Sequence, residues 1–75
     1  MEYYRIEERR KATILRMTLN PTLAIRLCDY LCKCKFEVAE YRYNSLARQS
    51  IIIIDNANEQ KLKETLDFYI KNENL

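Results

Sequence analysis

Residues 12 to 19, Ala-Thr-Ile-Leu-Arg-Met-Thr-Leu, alternate, with Leu15, Met17 and Leu19 on one side and Ile14, Arg16 and Thr18 on the other. A period of two predicts a half-buried strand, because successive side chains leave opposite faces of a pleated backbone. Asn20-Pro21 then predicts a helix start. Asn accepts from free backbone N–H groups, and proline in the first turn has no N–H to lose. The helix runs from about Pro21 to Lys33. Leu23, Ala24, Leu27, Tyr30, Leu31 and Cys34 gather on its inner face, opposite Arg26, Asp29 and Lys33.

Phe36 to Tyr43 is rich in strand formers, but Phe36, Val38, Tyr41 and Tyr43 break strict alternation by one step, as a bulge or a two-faced strand would. Asn44-Ser45 reads as a hairpin turn, and Leu46 to Ile54 as the next strand. Its end, Ile51-Ile52-Ile53-Ile54, loads both faces with β-branched residues, the mark of a central strand. Asp55-Asn56-Ala57-Asn58 punctuates and caps a second helix, about Asn58 to Lys71, with a stripe of Leu62, Leu66, Tyr69 and Ile70. Phe68 falls far from that stripe.

The order strand, helix, strand, strand, helix matches the first five elements of a ferredoxin-like βαββαβ domain, an α+β sandwich with an antiparallel sheet. The last strand is missing, or is replaced by an N-terminal strand containing Tyr3, Tyr4 and Ile6, or the open edge pairs with another copy. Residues 1–75 are read as a single domain, with 1–11 an extra strand or arm.

Composition narrows the picture. A chain of 75 residues buries too little surface for two cores or a large internal pocket. No apolar run reaches membrane-spanning length, and Met1 to Arg5 lack the apolar core of a signal peptide, so the expected compartment is cytoplasmic. Thirteen Lys and Arg stand against 11 Asp and Glu, too even a balance to mark a nucleic-acid footprint by itself. Glycine is absent, so Asn44, Asn56 and Asn58 are the expected positions of left-handed backbone.

Candidate chemistry is sparse. There is no histidine, no glycine-framed serine and no phosphate loop, so no catalytic residues are assigned and no enzymatic activity or cofactor is expected. Cys28, Cys32 and Cys34 point in different directions on a regular helix and lack a fourth ligand, which predicts reduced packing residues rather than a metal site. Tyr41, Tyr43, Ile52 and Phe68 are the candidate interface residues, as apolar groups beyond the needs of one small core. Arg42 and Arg48, with Tyr41 and Tyr43 as stacking rings, form the candidate nucleic-acid set.

Glu8-Arg9-Arg10-Lys11-Ala12 leading into Leu15-Arg16-Met17-Thr18-Leu19, then Leu27-Cys28 and Glu40-Tyr41-Arg42-Tyr43, resembles the ACT-like regulatory domain of threonine deaminase (threonine dehydratase). The resemblance spans residues 8 to 70 and rests on no catalytic motif. It implies a ferredoxin-like domain that senses a small ligand, typically an amino acid, between two such domains, here without the pyridoxal-phosphate catalytic domain. Carried over, Asn20 and Thr22 face the ligand and Leu23 stands behind them. The family usually places glycine in that loop, where this chain has Asn20-Pro21-Thr22.

The combined expectation is a small, non-enzymatic regulatory or interaction module, acting as a homodimer or by binding a larger protein, with ligand sensing as an added role. Two alternatives stay open. One is a single-stranded nucleic-acid binder using the Tyr/Arg face of the sheet, and the other a small phage or plasmid inhibitor of a host protein.

Overall fold

The computed structural model describes residues 4–10 and 12–73. Among these residues six elements follow one another: β1 (Tyr4–Arg9), β2 (Ala12–Met17), α1 (Pro21–Lys33), β3 (Glu37–Asn44), β4 (Gln49–Asp55) and α2 (Glu59–Asn72). The strands form one sheet in the order β1-β2-β4-β3, and every neighbouring pair is antiparallel. β4 therefore inserts between β2 and β3, the two strands that α1 joins. That is the split β-α-β arrangement of a ferredoxin-like fold. β1 lies on the outer side of β2, where a strand following α2 would otherwise sit, so the N-terminal segment completes the sheet. Of the residues expected there, Tyr4 and Ile6 lie in β1, and Tyr3 is outside the described residues.

Alternation decides the layers. Thr13, Leu15 and Met17 of β2, with Ser50, Ile52 and Ile54 of β4, are buried beneath the helices. They meet Ala24, Leu27 and Leu31 of α1 and Leu62, Leu66 and Tyr69 of α2 in one core. Each such Leu or Ile side chain contributes about 1.5–3 kcal/mol when removed from water. The Tyr30 and Tyr69 rings join the two helices at a centroid distance of 4.9 Å. Tyr4 ties β1 to α2 by donating its hydroxyl proton to Asp67 Oδ1 at 2.7 Å. Ser50, polar and fully buried, donates to the Leu19 carbonyl at 2.9 Å, which offsets its desolvation.

Both helices begin as the capping residues require. Asn20 Oδ1 accepts from the Leu23 N–H at 2.9 Å and Asn58 Oδ1 from the Lys61 N–H at 3.0 Å. α1 ends in a Schellman motif, with the Lys35 N–H bonded to the Cys32 carbonyl and the Phe36 N–H to the Leu31 carbonyl, both at 3.0 Å. Buried Leu31 and Phe36 supply the apolar contact that accompanies it. This geometry puts Lys35 at φ 69°, a position usually given to glycine. Arg48 and Asn56 also take positive φ, both at 53°. Of the three asparagines expected to do so, only Asn56 does. Asn58 is a cap, and Asn44 Oδ1 accepts from the Leu46 and Ala47 N–H groups inside the hairpin loop.

That loop is longer than the two residues expected. Asn44 pairs with Gln49, leaving Ser45–Arg48 as a four-residue connection, so Leu46 is not in a strand and is 97% exposed. The expected irregularity of β3 is a register shift between Val38 and Glu40. No described helix is long and apolar enough to cross a membrane.

Replacing Lys35 with glycine removes a left-handed penalty of about 1–2 kcal/mol and adds about 0.5–1 kcal/mol of unfolded-state entropy. The expected outcome is a net gain of roughly 0.5–1 kcal/mol in urea unfolding. Asn20→Ala shifts the same measurement the other way by about 1 kcal/mol, through loss of the α1 cap.

Candidate functional site

One face of the sheet lies under the two helices, and among the described residues nothing covers the other. Strand pairing arranges that second face in rows. Arg5, Arg16, Ile51 and Arg42 lie side by side from β1 to β3, and the next row holds Glu7, Ile14, Ile53 and Glu40. A third row holds Arg9, Ala12, Asp55 and Glu37. The centre is therefore aliphatic, built from Ile14, Ile51 and Ile53, all half-buried by their neighbours. Charge surrounds it in bands, arginine in one row and glutamate in the next.

The bands are held by ion pairs within the chain. Arg16 Nε donates to Glu7 Oε1 at 3.1 Å, and Arg9 approaches the other Glu7 oxygen at 3.5 Å. At the opposite edge Arg42 Nε donates to Glu40 Oε1 at 2.9 Å. The hydrogen bond from Arg16 is the main reason that the Glu7 carboxyl titrates below the usual glutamate range, against a smaller opposing push from burial. The guanidinium of Arg9 adds to the lowering.

The residues singled out from sequence are dispersed by the fold. Tyr41 pairs with Ile52 and Tyr43 with Ser50, which places both rings on the helix side of the sheet. Tyr41 packs against the core, its hydroxyl 3.4 Å from Ser50 Oγ, and Tyr43 sits at the margin with 39% of its surface exposed. Ile52 is fully buried in the core, so it offers no surface to a partner; Ile51 and Ile53 are the outward members of the run. Phe68 is exposed, at 62%, but on α2, across the sheet from the open face. These four do not form one surface.

The Tyr/Arg face also divides. Arg42 points to the open side while Tyr41 and Tyr43 point to the helices, because adjacent strand residues face opposite ways. Arg48 stands in the hairpin loop. Asn20 spends its side-chain oxygen on the N–H of Leu23, the residue expected behind a ligand, and Thr22 is exposed in the first turn of α1.

Cys28 and Cys34 are half-buried, and Cys32 is exposed. Burial, reinforced by Cys32 and Asp29, pushes the Cys28 thiol up, which keeps it protonated and a poor nucleophile at neutral pH. Among the described residues no three His, Cys, Asp or Glu side chains converge to hold a metal ion. Surface depressions of about 200, 210 and 270 Å³ fall below the ~300–1,000 Å³ of ordinary ligand pockets.

Sequence reasoning missed Arg5, Glu7 and Glu40 as members of a surface, although the alternation of β2 already put Ile14 and Arg16 outward. The missing signal was the register that aligns the other strands with β2. No family model matches the chain, and no curated protein or solved structure matches it either.

The Glu7 bonds carry a pH signature. A carboxyl whose pKa is lowered on folding adds stability above its unfolded pKa, about 4.3, and loses it as pH falls through the folded value. Urea unfolding of the wild type and Glu7→Gln across the acid range should show a stability gap at neutral pH that closes below that region. A gap independent of pH would mean that the loss in Glu7→Gln is not ionic.

Proposed function

We propose that this chain is a non-catalytic interaction module that acts through the open face of its sheet, by self-association or by binding a larger protein in a regulatory role. One observation carries the reading: an isoleucine centre, Ile14, Ile51 and Ile53, ringed by charged side chains on the uncovered side of a four-stranded sheet. An apolar centre with a polar rim is the usual anatomy of a protein interface. Its modest size suits a transient contact more than a permanent one. Three free thiols fit a reducing compartment such as the cytoplasm. A small inhibitor of a host protein would use the same surface in the same way.

Amino-acid sensing at Asn20, Thr22 and Leu23, the role implied by the ACT resemblance, has less support, since the Asn20 cap already occupies the polar atom it needs. Single-stranded nucleic acid is the second reading, favoured by the row of Arg5, Arg16 and Arg42. Among the described residues that side has no aromatic platform, because Tyr41 and Tyr43 face the helices.

Sedimentation equilibrium over micromolar to millimolar protein tests the main reading. The average mass is expected to rise with concentration in the wild type and to stay monomeric in Ile53→Lys, whose added charge lands in the apolar centre. Association that Ile53→Lys leaves untouched would overturn the open face as the surface used. Tight binding of an oligothymidine that weakens steeply with salt and fails in Arg42→Glu would favour the nucleic-acid reading instead.

A further inference from the structure

We infer that the open face is complementary to itself, and that its occupant is a second copy of this chain docked about a two-fold axis that runs across the strands, between the arginine row and the glutamate row. The inference rests on the interaction reading above and names the partner.

The charge map selects this axis from its alternatives. A two-fold across the strands superposes each strand on its own copy and exchanges the two rows. Arg5 then faces Glu7 of the second copy, Arg42 faces its Glu40, and Ile51 faces its Ile53, while the stem of Arg16 covers its Ile14. Within these two rows every charged edge position meets the opposite sign and Ile51 meets Ile53, while Arg9 and Glu37 of the third row lie outside these contacts. An axis along the strands keeps the rows in place and sets Arg5 against Arg42 and Glu7 against Glu40, two like-charge contacts at each end. An axis through either row sets Arg42 or Glu40 against itself. Like charges opposed across an interface are strongly disfavoured.

The internal ion pairs do not block this arrangement. Arg42 uses Nε for its own Glu40, one of five N–H donors on a guanidinium, so the same group can bridge to a second carboxylate. Sheets packed face to face lie about 10 Å apart at an angle near −30°, an offset that long Arg and Glu side chains on the edge strands can span. The four-stranded face offers a footprint of about 400 Å² per copy, from strands about 4.8 Å apart and six residues rising about 3.4 Å each. A total near 800 Å² lies below the roughly 1,200–2,000 Å² of stable specific interfaces, so the dimer is weak and steered by charge.

The isologous geometry makes an unusual demand on charge variants, because Arg42 and Glu40 of one copy meet Glu40 and Arg42 of the other. Arg42→Glu alone opposes glutamates, and Glu40→Arg alone opposes arginines, so each is expected to weaken self-association about tenfold or more. Mixed in equal amounts, the two variants form a heterodimer in which both contacts are attractive. The double variant Arg42→Glu, Glu40→Arg restores them within a homodimer. Both are expected to recover affinity to within about threefold of the wild type. Arg42 and Glu40 are exposed on an edge strand, and a urea midpoint for each variant checks that the fold is kept. Should one single variant unfold, the double variant still reads the exchange.

The outcomes separate this inference from the reading beneath it. A wild-type dimer lost in Ile53→Lys but not recovered in the mixture or the double variant overturns the two-fold arrangement and leaves the open face standing as the surface used. A wild type that stays monomeric at millimolar concentration overturns the second copy as occupant. A dimer insensitive to Ile53→Lys overturns both.

Discussion

The pairing of β4 between β2 and β3 is the contact on which the rest of the molecule depends. A strand with partners on both sides has no free backbone edge, and four consecutive isoleucines leave it no polar face. Ile52 and Ile54 then need a cover, which α1 and α2 provide by packing Leu27, Leu31, Leu62 and Leu66 onto them and onto Leu15 and Met17. Ile51 and Ile53 are placed on the opposite side by the same two-residue period. Core and candidate interface are thus two consequences of one strand, and neither can change register without exchanging with the other.

The outer side of β2 sets a second requirement, a strand to pair with it. β1 meets it through six paired positions, with Ile6 against Leu15 and Tyr4 reaching Asp67 on α2. The chain also turns its corners without glycine. Lys35 at the end of α1, Arg48 in the hairpin and Asn56 before α2 each hold a left-handed backbone, and for Lys35 and Arg48 that is a local strain the surrounding hydrogen bonds must outweigh. At Lys35 the outweighing contacts are visible in the two Schellman bonds and in the burial of Phe36 against the core.

The element order, both helix caps and the helix stripes were legible in the sequence, because each follows from local periodicity or capping chemistry, whereas the N-terminal strand at the sheet edge was one of three alternatives left open. The faces of β3 and β4 were not. Alternation says that Tyr41 and Tyr43 share a side, and only pairing with Ile52 and Ser50 says which side that is. The irregularity at Ala39 and the four-residue loop before Gln49 each alter the count between strands and so set the side of Tyr41 and Tyr43, while pairing with buried Leu15 sets Ile52 inward. Leu46 illustrates the same limit, as an apolar residue beside a strand that the Asn44 turn lifts into solvent.

What remains is why the open face is charged as it is. Arg9–Glu7 and Arg42–Glu40 are largely exposed, and pairs of that kind contribute about 0–1 kcal/mol to a fold. Stability alone does not ask for arginine in one row and glutamate in the next, since any alternation of sign would pair as well within the chain. Charge instead acts most strongly on which surfaces are allowed to meet, by making wrong registers repulsive and speeding the right encounter. An apolar centre as small as three isoleucines would attract many surfaces weakly and none in a fixed orientation. A banded rim converts that weak attraction into one preferred geometry, which is the property an interaction module of this size most needs.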